Sequence, residues 1–144
     1  MPTVSVIIPV YNACPFVGKA VESVMTQSFR DIEILVYDDG SSDGSIDVVR
    51  SLASIDPRIK LTIGTHRGYL AWLNEGIREA QGVYVARMDS DDVMLPDRIL
   101  KQVSFLDAEP DVVAVGCAFE LIDPEDRLLA TWYRPLNHEE LDAR

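Results

Sequence analysis

VSVIIPV (Val4–Val10), IEILVYD (Ile32–Asp38) and VYVARM (Val83–Met88) are short, near-continuous apolar runs rich in Val and Ile, and their spacing decides the fold. Strands buried on both faces of a parallel sheet have this appearance, whereas a strand with one wet face alternates apolar and polar residues. IKLTI (Ile59–Ile63) and VVAVG (Val112–Gly116) continue the series. The segments between them carry helical stripes: Val17, Val21, Val24 and Met25; then Ile46, Val49 and Leu52; then Leu70, Leu73, Ile77 and Ala80; then Ile99, Val103 and Leu106. Pro96 suits the first turn of the fourth helix, and Pro57 and Pro110 follow helix ends. The alternation predicts an α/β fold: an open, doubly wound, mainly parallel sheet with right-handed crossovers and helices on both faces. Beyond Gly116 the pattern weakens. Phe119–Ile122 and Leu128–Trp132 suggest a later strand pair turning at DPED (Asp123–Asp126), and His138–Arg144 the first turns of a further helix.

A chain of 144 residues suits one domain, which at this size buries roughly 68–70% of the surface its unfolded form exposes. With 24 Asp and Glu against 13 Lys and Arg, the net charge is −11. That balance excludes a nucleic-acid partner, because nothing here neutralises a run of phosphates, and it excludes docking on anionic lipid. An acidic protein still binds phosphates where a divalent cation stands between the two negative partners. Cys14 and Cys117 lack CxxC spacing and are expected as reduced, at least partly buried thiols. The first apolar run is too short for a signal peptide or a membrane span, and no Asn-x-Ser/Thr acceptor occurs. The expected location is the cytoplasm, with any membrane association residing in parts beyond Arg144.

In a doubly wound sheet, ligands bind beyond the carboxyl ends of the strands, where strand order reverses. Polar residues gather at such ends. The first strand runs into Pro9-Val10-Tyr11-Asn12, the second into DDGSSDG (Asp38–Gly44) and the fourth into DSDD (Asp89–Asp92). A strand order of 3-2-1-4 places these loops on one rim. In an extended segment Asp89 and Asp91 point the same way, and two carboxylates that close repel unless a cation or proton separates them. Mg²⁺ or Mn²⁺, completed by substrate phosphates and water, fits that pair. The competing reading is an acidic loop favoured by the dipole of the following helix. A calcium EF-hand fails: counted from Asp39 its twelfth position is Arg50, and counted from Asp89 its sixth is Met94.

Asp38 and Asp39 are placed to accept from a base N–H or a ribose hydroxyl, while Asp43 or Ser45 suits a cap on the following helix. Tyr11 offers a face on which a base would gain roughly 1–3 kcal/mol by stacking; alternatively it covers the sheet end. Arg67, in THRG (Thr65–Gly68), is a cation suited to a diphosphate or an ordinary surface residue. His66 beside it is ambiguous, and Trp72 and Trp132 are expected in or near the core.

Taken in order, VSVIIPVYN, QSFRDIEILVYDDGSSDGS, RGYLAWLNEGIREAQGVYVARMDSDD and LPDRILKQVSFL resemble glycosyltransferase family 2, inverting enzymes of the GT-A fold. The resemblance implies that Pro9, Val10, Tyr11 and Asn12 line a nucleotide pocket together with Asp89 and Ser90. It implies that Asp39 reads the base with Asp38 in support, and that Arg67 lies near the diphosphate. Asp89 and Asp91 would be the metal pair, Asp91 chiefly. His66 departs from the Asn that relatives often carry before Arg-Gly. The implied activity is metal-assisted, inverting transfer of a sugar from a nucleoside diphosphate, UDP being the commonest, to a hydroxyl of a saccharide, lipid or protein, as in cell-wall or polysaccharide synthesis. The catalytic general base is expected beyond Arg144, in an acceptor-binding half. Residues 1–144 are then a single donor-binding domain, incomplete at its C-terminus and weakly active or inactive alone.

Other classes fit less well. A nucleotidyltransferase needs a Gly-rich basic loop after the first strand, where Asn12-Ala13-Cys14-Pro15 stands. A dehydrogenase needs GxGxxG there. A receiver-type binding module carries its acidic pair after the first strand, whereas here the pairs follow the second and fourth.

Overall fold

A computed structural model describes residues 1–133 of the chain, and its contacts divide into two compact units, Met1–Ser104 and one beginning at Phe105. The helix expected at His138–Arg144 lies outside the described residues. In the first unit the order is β1 (Val4–Val10), α1 (Cys14–Met25), β2 (Ile32–Asp38), α2 (Ser45–Ala53), β3 (Ile59–Ile63), α3 (Tyr69–Glu79) and β4 (Tyr84–Arg87), followed by α4 (Arg98–Ala108), which runs on past Ser104. The sheet is wholly parallel in the order β3-β2-β1-β4. This is the order that brings the three polar loops to one rim.

β1 and β2 are buried along their whole length, as their unbroken apolar character requires. Side chains alternate between the two faces. Val4, Val6, Ile8 and Val10 join Ile32, Ile34 and Val36 against Val17, Val21 and Val24 of α1, Val49 and Leu52 of α2, and Ile99 and Val103 of α4. On the opposite face Ile7, Leu35 and Tyr37 pack against Trp72 of α3.

The buried side of α3 differs from the expected stripe. Leu70 and Ile77 are exposed, and Trp72 and Gly76 face the sheet instead. Packing decides this, because a Cβ on Gly76 would stand 2.7 Å from Ile7 Cγ2, so only glycine lets α3 approach so closely. The close approach in turn delivers the Trp72 indole to the rim.

Pro9 opens the sheet at the site. Ile7 accepts from the Met88 amide at 3.0 Å and Val10 from the Asp39 amide at 2.8 Å, so successive residues of β1 serve β4 and β2 alternately. Pro9 shares the edge that Ile7 presents to β4 but has no N–H to offer. The β1–β4 ladder ends at Ile7 and Arg87, whereas β1–β2 continues to Val10 and Asp38.

The loop after β4 is fastened from α1. Gln27, fully buried, donates through Nε2 to the Leu95 carbonyl at 2.8 Å and accepts the Ile99 amide at 3.1 Å, capping α4 from a distant part of the chain. Ser23 Oγ accepts the Met94 amide at 3.0 Å. In the DDGSSDG loop Asp43 serves two helix starts, accepting the Ser45 amide at 3.0 Å through Oδ1 at the first residue of α2 and the Cys14 amide at 2.8 Å through Oδ2 at the first residue of α1.

In the second unit β5 (Phe119–Ile122) pairs antiparallel with β6 (Leu128–Trp132), and Phe119 and Trp132 stack with ring centres 6.2 Å apart. The strand expected at Val112–Gly116 joins no ladder among the described residues, and Val113 is exposed. Apolar composition alone does not make a strand where no neighbouring backbone pairs with it. Trp132 is exposed rather than in a core, and Cys117 is exposed where partial burial was expected; both cysteines are free thiols. Among the described residues no helix is long and apolar enough to cross a membrane.

Candidate functional site

A cavity of about 370 Å³ opens at the carboxyl end of the sheet, where strand order reverses at β1. Pro9 and Val10 line it from the end of β1 and Tyr11 from the loop after it, Asp39 from the loop after β2, His66 from the β3–α3 connection, Tyr69 from the start of α3, and Arg87, Asp89, Ser90 and Asp91 from the end of β4 and its loop. Of the residues singled out from sequence, Asn12, Asp38 and Arg67 do not line it.

Asp39 is the most constrained residue of the site. Its carboxylate is buried, and Oδ1 accepts from the Arg67 amide and Trp72 Nε1, each at 2.6 Å. Oδ2 accepts from the Gly68 amide at 3.0 Å, with His66 Nδ1 at 2.8 Å. Burial pushes the Asp39 carboxyl up, but the Arg67 amide, the Trp72 indole, the Gly68 amide and the His66 ring together hold it below the ordinary carboxylate range.

Asp38 serves the turn. Its Oδ1 accepts the Gly40 and Ser41 amides at 3.0 and 2.9 Å, and its Oδ2 is buried with no hydrogen-bond partner among the described residues. Gly40 adopts φ +82°, and a Cβ there would stand 3.2 Å from the His66 amide nitrogen, so the turn requires glycine. Asn12, at φ +49°, ties the loop after β1 to the loop after β2 by accepting the Ser42 amide at 2.9 Å. Arg67, expected at a diphosphate, turns instead toward α3: its guanidinium lies 3.8 Å from the centre of the Trp72 ring and pairs with Glu75 at 2.5 Å. A charge facing an aromatic surface and a carboxylate is better compensated there than in open solvent.

The DSDD loop is unevenly neutralised. Arg87 Nη2 stands 2.8 and 2.7 Å from the two oxygens of Asp89, whereas the Asp91 carboxylate accepts no hydrogen bond among the described residues. Partial desolvation, and then the charges of Asp89 and Asp91, push the Asp92 carboxyl up, which marks an excess of negative charge. No three His, Cys, Asp or Glu side chains gather as a ligand set among the described residues. Asp89 and Asp91 both line the cavity, and one or two carboxylates are what a hard divalent ion takes from a protein when phosphate and water complete its shell. Sequence reasoning left His66 open and passed over Tyr69 and Arg87. Arg87 was legible, since it lies two residues before Asp89 and shares its side of an extended segment.

A doubly wound sheet with a cavity at its switch point is the layout of a ligand-binding α/β protein. The chain belongs to glycosyl transferase family 2, whose family model matches residues 5–143. It is 39% identical over 107 residues to an uncharacterized glycosyltransferase of Haemophilus influenzae, spanning 74% of this chain and 43% of that protein. A chondroitin synthase of Pasteurella multocida is 27% identical over 133 residues, 92% of this chain and 14% of its own. Among solved structures, the mannosyltransferase PcManGT of Pyrobaculum calidifontis, in complex with GDP-Man and Mn²⁺, matches 87% of this chain and 37% of its own with a TM-score of 0.75 at 32% identity. Staphylococcus aureus TarS in complex with UDP-GlcNAc matches 76% of this chain and 32% of its own with a TM-score of 0.70 at 26% identity. The chain thus spans less than half the length of these relatives.

Proposed function

We propose that residues 1–144 form the donor-binding domain of an inverting glycosyltransferase that takes a nucleoside-diphosphate sugar, with UDP as the nucleotide, and uses Mn²⁺ or Mg²⁺. The observation that carries this reading is that Tyr11, Asp39, Asp89, Ser90 and Asp91, drawn from separate strand ends, line one cavity on a strongly acidic protein. Donor complexes of two structural relatives, one with GDP-Man and Mn²⁺ and one with UDP-GlcNAc, support it.

On this reading Tyr11 carries the base on its face and Asp39 accepts the base N–H. Asp91, with Asp89, holds the cation. A bound divalent ion supplies Lewis-acid stabilisation of charge growing on the departing diphosphate. Arg87, released from Asp89, offers its guanidinium to the same phosphates. The base that deprotonates the acceptor hydroxyl is assigned to none of these residues, because the carboxylates of the cavity are committed to the donor side. It belongs with the acceptor-binding half of the enzyme.

Titration calorimetry with UDP tests the reading. UDP should bind at least about tenfold more tightly in Mn²⁺ than in EDTA, because on a protein this acidic the diphosphate otherwise meets uncompensated carboxylates. Equal affinity in both conditions would contradict it.

A further inference from the structure

The slot assigned above to the base is already filled by the protein's own ring. The His66 imidazole lies 4.4 Å from the Tyr11 ring centre, tilted by 36°, while its Nδ1 stands 2.8 Å from Asp39 Oδ2. An ionised carboxylate only accepts, so a nitrogen this close to Oδ2 is favoured in its N–H form. His66 thus occupies both places on which recognition of a base rests, the face of Tyr11 and the Asp39 carboxylate. The His66 and Tyr11 side chains are both largely exposed, and both line the cavity, so the ring is free to leave without disturbing the core.

The remaining acceptor capacity of Asp39 is fixed by rigid donors. A carboxylate offers about four lone-pair sites. The Arg67 amide and the Trp72 indole occupy those of Oδ1, and the Gly68 amide occupies one of Oδ2. Backbone amides and a buried indole stay in place when a ligand arrives; the exposed imidazole does not have to. Withdrawal of His66 vacates a single acceptor site beside the Tyr11 face.

We propose that His66 is a self-occupying plug that competes with the donor base for Tyr11 and Asp39, and that the slot it vacates selects a base presenting one imino N–H, as uracil or thymine does. Guanine, whose N1–H and exocyclic amine ask a carboxylate for two adjacent acceptor sites, finds only one. The inference rests on the donor-site reading above and makes His66 a specificity residue of that site.

The test uses nucleosides, which carry no phosphate and so leave the cation out of the comparison. Uridine and 3-methyluridine, the latter without the imino N–H, are titrated into the wild-type chain, His66→Ala and Tyr11→Ala. The His66→Ala chain should bind uridine severalfold more tightly, because a slot held part of the time by its own ring has its apparent affinity lowered by the fraction of time it stands open. 3-Methyluridine, with no imino N–H for Asp39, should bind more weakly than uridine to both chains. Uridine binding that is unchanged or weakened by His66→Ala overturns the plug, and 3-methyluridine binding as tightly as uridine overturns the selection for an imino N–H. If Tyr11→Ala leaves uridine affinity unchanged, the base pocket itself is wrong; if Tyr11→Ala weakens uridine while His66→Ala gives no gain, the pocket stands and only the plug fails.

Discussion

Asp91→Ala should abolish the Mn²⁺ dependence of UDP binding, bringing the affinity measured in Mn²⁺ down to that in EDTA, a loss of about tenfold or more. The carboxylates of DSDD are unequally compensated. Asp89 already has a cation, since Arg87 Nη2 bridges its two oxygens at 2.8 and 2.7 Å. Asp91 is exposed, lines the cavity and accepts no hydrogen bond among the described residues, so it is the carboxylate ready to take an ion without first breaking a contact. The same facts predict that the fold survives. Removing an exposed charge that repels Asp89 and Asp92 costs no packing and leaves no donor stranded, so thermal unfolding should be unchanged or occur slightly higher. Loss of UDP binding with an intact melting curve is the expected pair of results. Full retention of Mn²⁺-dependent binding would remove Asp91 from the site.

Asp39→Ala should damage both stability and binding. The wild-type carboxylate is buried and gathers the Arg67 and Gly68 amides, the Trp72 indole and the His66 ring. Alanine leaves the two amides and the indole without an acceptor, at a cost of about 3 kcal/mol or more when several donors are stranded together. The β3–α3 connection, which carries His66 and Tyr69 to the cavity, then loses its anchor. The pH dependence has a definite sign. Because these donors hold the Asp39 carboxyl below its ordinary value, the ionised form stabilises the folded state at every pH above the unfolded value, about 3.9. That contribution is lost as pH falls through the lower folded value. Urea denaturation at a series of pH values should therefore show the wild-type chain losing part of its stability below about pH 4, with a shallower acid limb for Asp39→Ala. A variant as stable as wild type at pH 7 would mean that the donors around Asp39 find other partners.

The parallel sheet was legible because β1 and β2 are buried on both faces and carry almost no polar residue to disguise the pattern, whereas its order entered only as the arrangement that would gather the three polar loops. The acidic pairs were legible for the opposite reason, as charges abutting such runs at their carboxyl ends. What the chain conceals is set by pairs distant in sequence. Which side of α3 is buried follows from Trp72 reaching Asp39, and from Gly76 admitting Ile7, and neither contact has a local signature. Gln27 looks like an ordinary polar residue after a helix, yet it caps α4 and fastens the loop that carries the DSDD carboxylates. Arg67 was read by its charge alone, and its nearest compensation turned out to be Trp72 and Glu75. Val112–Gly116 shows the converse error, since an apolar run becomes a strand only where another backbone pairs with it.

On the proposed reading, a divalent ion held by Asp91 would let a negatively charged nucleotide settle on a negatively charged protein. An anomalous difference map from crystals of the chain grown with UDP and Mn²⁺, recorded at the manganese edge, measures that event directly. The account predicts a single strong peak within about 2.2 Å of an Asp91 oxygen, bridging to the diphosphate, with the uracil ring on the face of Tyr11. A bound UDP with no manganese peak near Asp89 or Asp91, or a peak far from this cavity, would contradict it.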